Sequence, residues 1–122
     1  MSQDAVAMVR AYYRAYEQKD RAAIEALLAA DFHFTSPRDN SIDRAAYFAR
    51  CWPHGLDITS FALDEIVPSG AKVFVTYDAT RESGIGFRGC EVHTVRDGLI
   101  EAVVVYFGWS IPHPAAEGSF VD

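Results

Sequence analysis

Residues 84–93 read GIGFRGCEVH, and the first six letters fit G-x-G-x-x-G, the glycine pattern of dinucleotide sites. That pattern binds a pyrophosphate only where a strand feeds a tight turn into a helix, whose amides and dipole hold the phosphates. Residues 72–83, KVFVTYDATRES, supply a strand. Residues 90–109, CEVHTVRDGLIEAVVVYFGW, do not supply the helix: β-branched residues dominate, and Asp97-Gly98 stands between two such runs as a hairpin turn. The segment is therefore a strand in an antiparallel meander. Gly84, Gly86 and Gly89 bend or bulge it where a side chain would not fit. Its ionisable letters, Glu91 and His93, are then the ones whose placement matters.

Outward from this segment the strands continue in both directions. DITSFALDEIV (57–67) precedes KVFVTYDATRES across a Pro68-Ser69-Gly70 turn, and LIEAVVVYFGW (99–109) follows Asp97-Gly98. Helices occupy the first half. Ala5, Met8, Tyr12 and Tyr16 recur at helical spacing, with Val9 and Tyr13 widening the stripe. Asp20 is placed to cap RAAIEALLAA (21–30), and Asp43 to cap RAAYFARCW (44–52), with Ile42 and Tyr47 spaced as a hydrophobic staple and Pro53 closing the helix. Between these helices FHFTSP (32–37) is a short strand ended by Pro37, and Asp39 and Asn40 beyond it are expected in a solvated turn, supplying a carboxylate only if that loop folds inward. Three helices ahead of four long strands predict an α+β chain with its helices on one face of a curved sheet.

Composition narrows the function classes. The 122 residues are half hydrophobic and 13 % aromatic, enough for one domain over residues 1–122 with a substantial core. The formal net charge is −6 and Lys and Arg form no cluster, so nucleic acid finds no electrostatic footprint. The apolar run AVVVYFGW (102–109) is too short to span a bilayer, and MSQDAVAMVR lacks a signal-peptide layout, so a cytoplasmic protein without membrane partners is expected. Cys51 and Cys90 read as reduced core thiols, with pairing left open. His33, His54, His93 and His113 show no zinc-type spacing, so neither a metal nor a cofactor is expected.

The element order, with AYEQKDRAAIEALLAADFHFTSP (15–37), AAYFARCWP (45–53) and VRDGLIEAVVVYFGW (95–109), resembles the SnoaL-like branch of the nuclear transport factor 2 (NTF2-like) superfamily. The resemblance covers nearly the whole chain. It implies a cone in which three N-terminal helices and a strongly curved, mostly antiparallel sheet enclose an apolar pocket, and it implies a homodimer paired through the outer sheet face. It admits isomerases, polyketide cyclases, dehydratases, epoxide hydrolases and non-catalytic binders, and fold alone does not choose among them.

Set against the isomerase branch, Tyr12 falls where the oxyanion-stabilising tyrosine is kept, and Glu91 close to a protonated acid, the ketosteroid isomerase example of a carboxyl kept neutral by an apolar site. Ser36 falls where the proton-shuttling Asp belongs. A serine has no accessible basic form without a partner, so ordinary ketosteroid isomerisation is not expected. Alternation puts Phe87, Glu91, His93 and Val95 on one face of their strand and Arg88, Cys90, Val92, Thr94 and Arg96 on the other. Both faces are mixed. The arginines suit solvent or a dimer contact, which together with the resemblance turns Glu91 and His93 inward. There burial raises the Glu pKa and lowers the His pKa, while their mutual attraction opposes both shifts.

Tyr12, Glu91 and His93 are thus the expected catalytic set, and Tyr16, Ser36, Phe48, Trp52 and Phe87 the expected ligand contacts, around a small apolar or amphipathic organic molecule. The alternative is a non-catalytic binding or dimerisation domain. Asp78, Arg81 and Glu82 form a possible polar cluster, less expected than exposed ion pairs. Trp109 is large enough to plug a pocket mouth.

Overall fold

The computed structural model describes residues 2–122. Among them there are three helices and six strands: α1 (Ser2–Gln18), α2 (Arg21–Leu27), β1 (Leu28–Ser36), β2 (Asp39–Asp43), α3 (Arg44–His54), β3 (Ile58–Ser69), β4 (Lys72–Arg81), β5 (Gly86–Arg96) and β6 (Leu99–Ile111). The strands form one mixed sheet in the order β2-β1-β6-β5-β4-β3. Every neighbouring pair is antiparallel except β1 and β6, which run parallel. α1 packs against β3, β4 and β6, and α3 against β1 and β2. The three helices and the curved, unclosed sheet make an α+β cone.

The helices follow from periodicity and caps. Val9, Tyr12, Tyr13 and Tyr16 lie along one side of α1 and are all buried. The Asp20 carboxylate accepts from the Ala23 amide at 3.1 Å and the Asp43 carboxylate from the Ala46 amide at 2.9 Å, so each satisfies a donor that its helix leaves free. α2 is shorter than LLAA suggests: Leu28 is already extended, with φ −94° and ψ 136°. Leu28, Phe32 and Phe34 are buried in β1, which pairs with β6. Tertiary pairing outweighs local helix propensity there. α3 runs through Pro53 to His54, past the expected stop.

A second departure sets up the site. Asp39 and Asn40 are not in a solvated turn but in β2, a polar edge strand whose composition carries no strand signal. Its register on β1 pairs Ser36 with Asp39, with an irregularity after Phe34. The Asp39 side chain is thereby drawn in to 9 % exposure.

The meander turns follow their chemistry. Asp97 and Gly98 both have positive φ, 52° and 75°, as a two-residue hairpin turn of this hand requires. On β5, Gly89 lies opposite Tyr77 of β4. A Cβ at residue 89 would stand 2.7 Å from the Tyr77 hydroxyl and 2.9 Å from its Cζ, so the glycine is what lets this phenol lie across the strand. Gly89→Ala should displace the ring and cost about 1–3 kcal/mol by overpacking. Urea unfolding checks this, and an unchanged midpoint would refute the role given to Gly89.

Candidate functional site

Glu91 and His93 are the buried residues with polar or charged side chains, tyrosines aside, among those described. Both point inward beneath α1, on the one strand face that alternation gives them and in the direction the resemblance implied. Glu91 is held at both oxygens: Tyr77 donates to Oε2 at 2.8 Å and Tyr13 donates to Oε1 at 2.9 Å. The Tyr13 oxygen also lies 2.9 Å from His93 Nε2, while His93 Nε2 stays 3.6 Å from Glu91 Oε1. Because Tyr13 gives its proton to Glu91, its oxygen accepts from His93, which places the imidazole proton on Nε2. His93 Nδ1 is then a bare lone pair, and it is buried without a hydrogen-bond partner.

Burial governs the electrostatics. It raises the Glu91 pKa above the usual carboxylate range, and the two phenol donors only partly counter it. It pushes His93 down to about 3, so the imidazole is neutral. The hydroxyls of Tyr12, Tyr13, Tyr16, Tyr47 and Tyr77 are all shifted upward, chiefly by burial, and remain protonated donors.

This network forms the floor of a cavity of about 630 Å³. Tyr12, Tyr13, Tyr16, Tyr77 and Glu91 line it from α1 and the sheet, with Phe34, Phe61, Phe87 and Val105 as apolar wall. Tyr12 lines the cavity, but its hydroxyl bonds Tyr47 at 2.8 Å, and Tyr16 bonds the same Tyr47 hydroxyl. The phenol beside Glu91 is its neighbour, Tyr13. His93 is fully buried and absent from the cavity wall; it touches the site through Tyr13.

Ser36 lines the mouth, where its hydroxyl donates to Asp39 at 2.8 Å and accepts from the Arg38 amide at 3.0 Å. Asp39 lines the mouth as well, with Arg50 at 2.6 Å and the Cys51 thiol at 3.8 Å. Partial burial pushes its pKa up, but hydrogen bonds from Arg50 and Ser36 and the Arg50 charge outweigh this and hold the carboxyl below its ordinary range. The Cys51 thiol is pushed up to about 12 by burial and then by Asp39, which removes it as a nucleophile at neutral pH.

Several expected contacts lie elsewhere. Phe48 does not line the cavity; its ring sits under the Arg21 and Arg44 guanidiniums, at 4.7 and 5.2 Å. Trp52 backs the wall through the Tyr16 ring, 4.8 Å away, without reaching the cavity surface. Trp109 does not plug the mouth: Arg88 covers it at 5.6 Å and the ring is 48 % exposed. Asp78 pairs with Arg88 at 2.7 and 3.0 Å, and Arg81 pairs with Asp57 at 2.5 Å, so these residues form separate ion pairs and no shared cluster. Both cysteines are free. No group of three or more His, Cys, Asp or Glu among the described residues is placed to hold a metal ion.

The residues that sequence reasoning missed are Tyr13 and Tyr77. Tyr77 had a signal, a bulky phenol in an inward-facing row and a cross-strand glycine to receive it. Asp39 was expected at the site only if its loop folded inward, and the pairing of the β2 edge strand is what turns it there.

A helix-lined, curved-sheet cone with a polar group at its floor defines the architectural class. The chain belongs to the SnoaL-like domain family of the NTF2-like superfamily, whose model matches residues 9–103. Among solved structures, a Kribbella flavida protein superposes with TM-score 0.76 at 19 % identity, over 84 % of this chain and 85 % of that one. A Mycobacterium tuberculosis LEH-like epoxide hydrolase gives TM-score 0.71 at 22 % identity, over 88 % and 84 %. A Sinorhizobium meliloti protein named as a candidate polyketide cyclase gives 0.70 at 19 %, over 87 % and 99 %. No curated protein matches the sequence. No helix among the described residues is long and apolar enough to cross a membrane.

The shift of His93 has a measurable sign. Its folded pKa of about 3 lies below the ordinary 6.5, so between these values the unfolded chain takes up a proton that the folded chain refuses. Stability is lost as pH falls through that window, by up to about 1.4 kcal/mol per pH unit. Glu91, shifted upward from 4.5, acts oppositely: its contribution is lost as pH rises through its folded value. His93→Gln keeps a hydrogen-bonding group but cannot titrate. In urea unfolding between about pH 4 and 7, wild-type stability relative to this variant should rise with pH; a flat difference would overturn the buried, neutral assignment.

Proposed function

We propose that the chain binds a small amphipathic organic molecule in its cavity and performs cofactor-free acid/base chemistry on it, of isomerase, cyclase or dehydratase type. The observation that carries this reading is Glu91, a carboxyl with a raised pKa at the floor of a cavity of about 630 Å³. That volume suits a small-molecule site, and the mixture of aromatic wall and few polar groups suits an amphipathic ligand. Glu91 takes a proton from a carbon beside a carbonyl and returns it elsewhere on the same molecule, so the cycle needs no redox partner. Tyr12, at the cavity surface, is the phenol assigned to the substrate oxygen. His93 acts as a positioning residue that fixes the direction of the Tyr13 hydroxyl.

Asp39 is the poorer base, because Arg50 and Ser36 hold it ionised and hydrogen-bonded. With Ser36 where a proton-shuttling Asp would stand, ordinary ketosteroid isomerisation is not the activity proposed. Two neighbours of the same fold carry enzyme names, epoxide hydrolase and polyketide cyclase, which is compatible with catalysis. One observation favours the second reading, a non-catalytic binder: both Glu91 oxygens already have donors, and the hydroxyls of Tyr12, Tyr16 and Tyr47 bond one another.

Deuterium exchange separates the two. Incubated in D₂O with a panel of cyclic ketones, the wild type should exchange α-protons about 10²-fold faster than Glu91→Gln, the scale of a lost general base. Equal rates would leave the non-catalytic reading.

We also infer a homodimer paired through the outer sheet face. Phe74, Val92 and Val104 lie side by side across β4, β5 and β6, next to Cys90 and Tyr106. Phe74 and Tyr106 are 40 % and 59 % exposed, an apolar row of the kind that marks an interface. Light scattering after gel filtration should give twice the 13.5 kDa chain mass, and Tyr106→Glu should halve it. A wild type that runs as the monomer would sink the inference.

A further inference from the structure

The cavity lining sorts by exposure into a buried, aromatic floor and a charged mouth. At the mouth stand Arg38, Arg50, Arg81, His54, Asp39 and Asp57. Two of the guanidiniums are spoken for: Arg50 by Asp39 at 2.6 Å, and Arg81 by Asp57 at 2.5 Å. Both Asp39 oxygens are occupied, Oδ1 by Arg50 and Oδ2 by Ser36. Arg38 is exposed, and among the described residues its guanidinium has neither an ion-pair partner nor a hydrogen-bonded acceptor. Its backbone amide is tied to Ser36 Oγ at 3.0 Å, which anchors the residue at the rim while leaving the side chain free.

The mouth therefore carries one uncompensated positive charge in a chain of net charge −6. An excess of cation at the entrance of a cavity in an anionic protein focuses the field on anions. The floor has the opposite preference. Glu91 is the ionisable group there, and an anionic group driven down beside it would lose its hydration and gain no cation. Between the two ends lie Phe34, Phe61, Phe87 and Val105, which favour an apolar body.

We propose that the cavity selects an amphipathic carboxylate, bound with its apolar body and any neutral oxygen toward Glu91 and its carboxylate at the mouth on Arg38. This deepens the small-molecule reading given above and rests on it. Guanidinium and carboxylate match as a fork of two parallel hydrogen bonds, which a lysine or an amide at residue 38 cannot reproduce.

The test compares three probes of equal length, octanoate, 1-octanol and octylamine, by titration calorimetry on the wild type and on Arg38→Gln. Octanoate should bind the wild type about two- to fivefold tighter than 1-octanol, the range for an exposed charge pair with good geometry, and added salt should shrink the gap. Arg38→Gln should bring octanoate to the level of 1-octanol and leave 1-octanol itself unchanged. The proposal is overturned if 1-octanol or octylamine matches octanoate, or if Arg38→Gln leaves the octanoate preference intact or weakens all three probes alike. In those cases the cavity still binds ligands and the small-molecule reading stands. Absence of binding by all three at millimolar concentration would overturn that reading and this one with it.

Discussion

A carboxyl group in an aromatic core is tolerable only when its oxygens are hydrogen-bonded, and the pair of phenols on Glu91 meets that condition. A hydrogen bond to a charged acceptor contributes about 1.5–3 kcal/mol, whereas an orphaned buried carboxylate costs several times what an orphaned amide does. Tyr13 arrives from α1 and Tyr77 from β4, so the helix and the sheet are joined at one side chain of β5. Their relative position is thereby set by a polar constraint as well as by apolar packing, and polar constraints are the less forgiving of the two.

His93 extends the constraint by one step. A hydroxyl flanked by a carboxylate and an imidazole has two ways to point, and the protonated Nε2 removes one of them. The partnerless Nδ1 is the cheaper of the two possible orphans, since a bare lone pair asks less of its surroundings than a buried N–H. The cavity changes from a buried aromatic floor to a charged mouth.

Much of this was readable from the chain. Alternation puts Glu91 and His93 on one face, but both faces are mixed and the family resemblance was needed to turn that face inward. The stripe of α1, the caps at Asp20 and Asp43 and the Asp97-Gly98 turn follow from local pattern, which depends on neighbouring residues alone. The early end of α2 at Leu27 did not, because it is imposed by the pairing of β1 with β6. The inward turn of Asp39 did not, because a five-residue polar strand forms only where a partner edge exists. Choosing between Tyr12 and Tyr13 was equally out of reach: both lie on the buried stripe, and a rotation of one residue about the helix axis decides which meets Glu91. Phe48 shows the limit of reading aromatic content as pocket lining, since its ring is used as a platform for two arginines.

The hydrogen bond between Tyr13 and Glu91 joins residues 78 positions apart, and that between Tyr13 and His93 spans 80. The strand that borders β5 on its far side, β6, also pairs with β1, so neither half of the chain can complete the cone by itself. On the ribosome, α1 is therefore made well before Glu91 and His93, the partners of its Tyr13 at the cavity floor. A chain truncated before β6 lacks the strand that joins β5 to β1, and with it Val105 and Phe107 of the cavity wall.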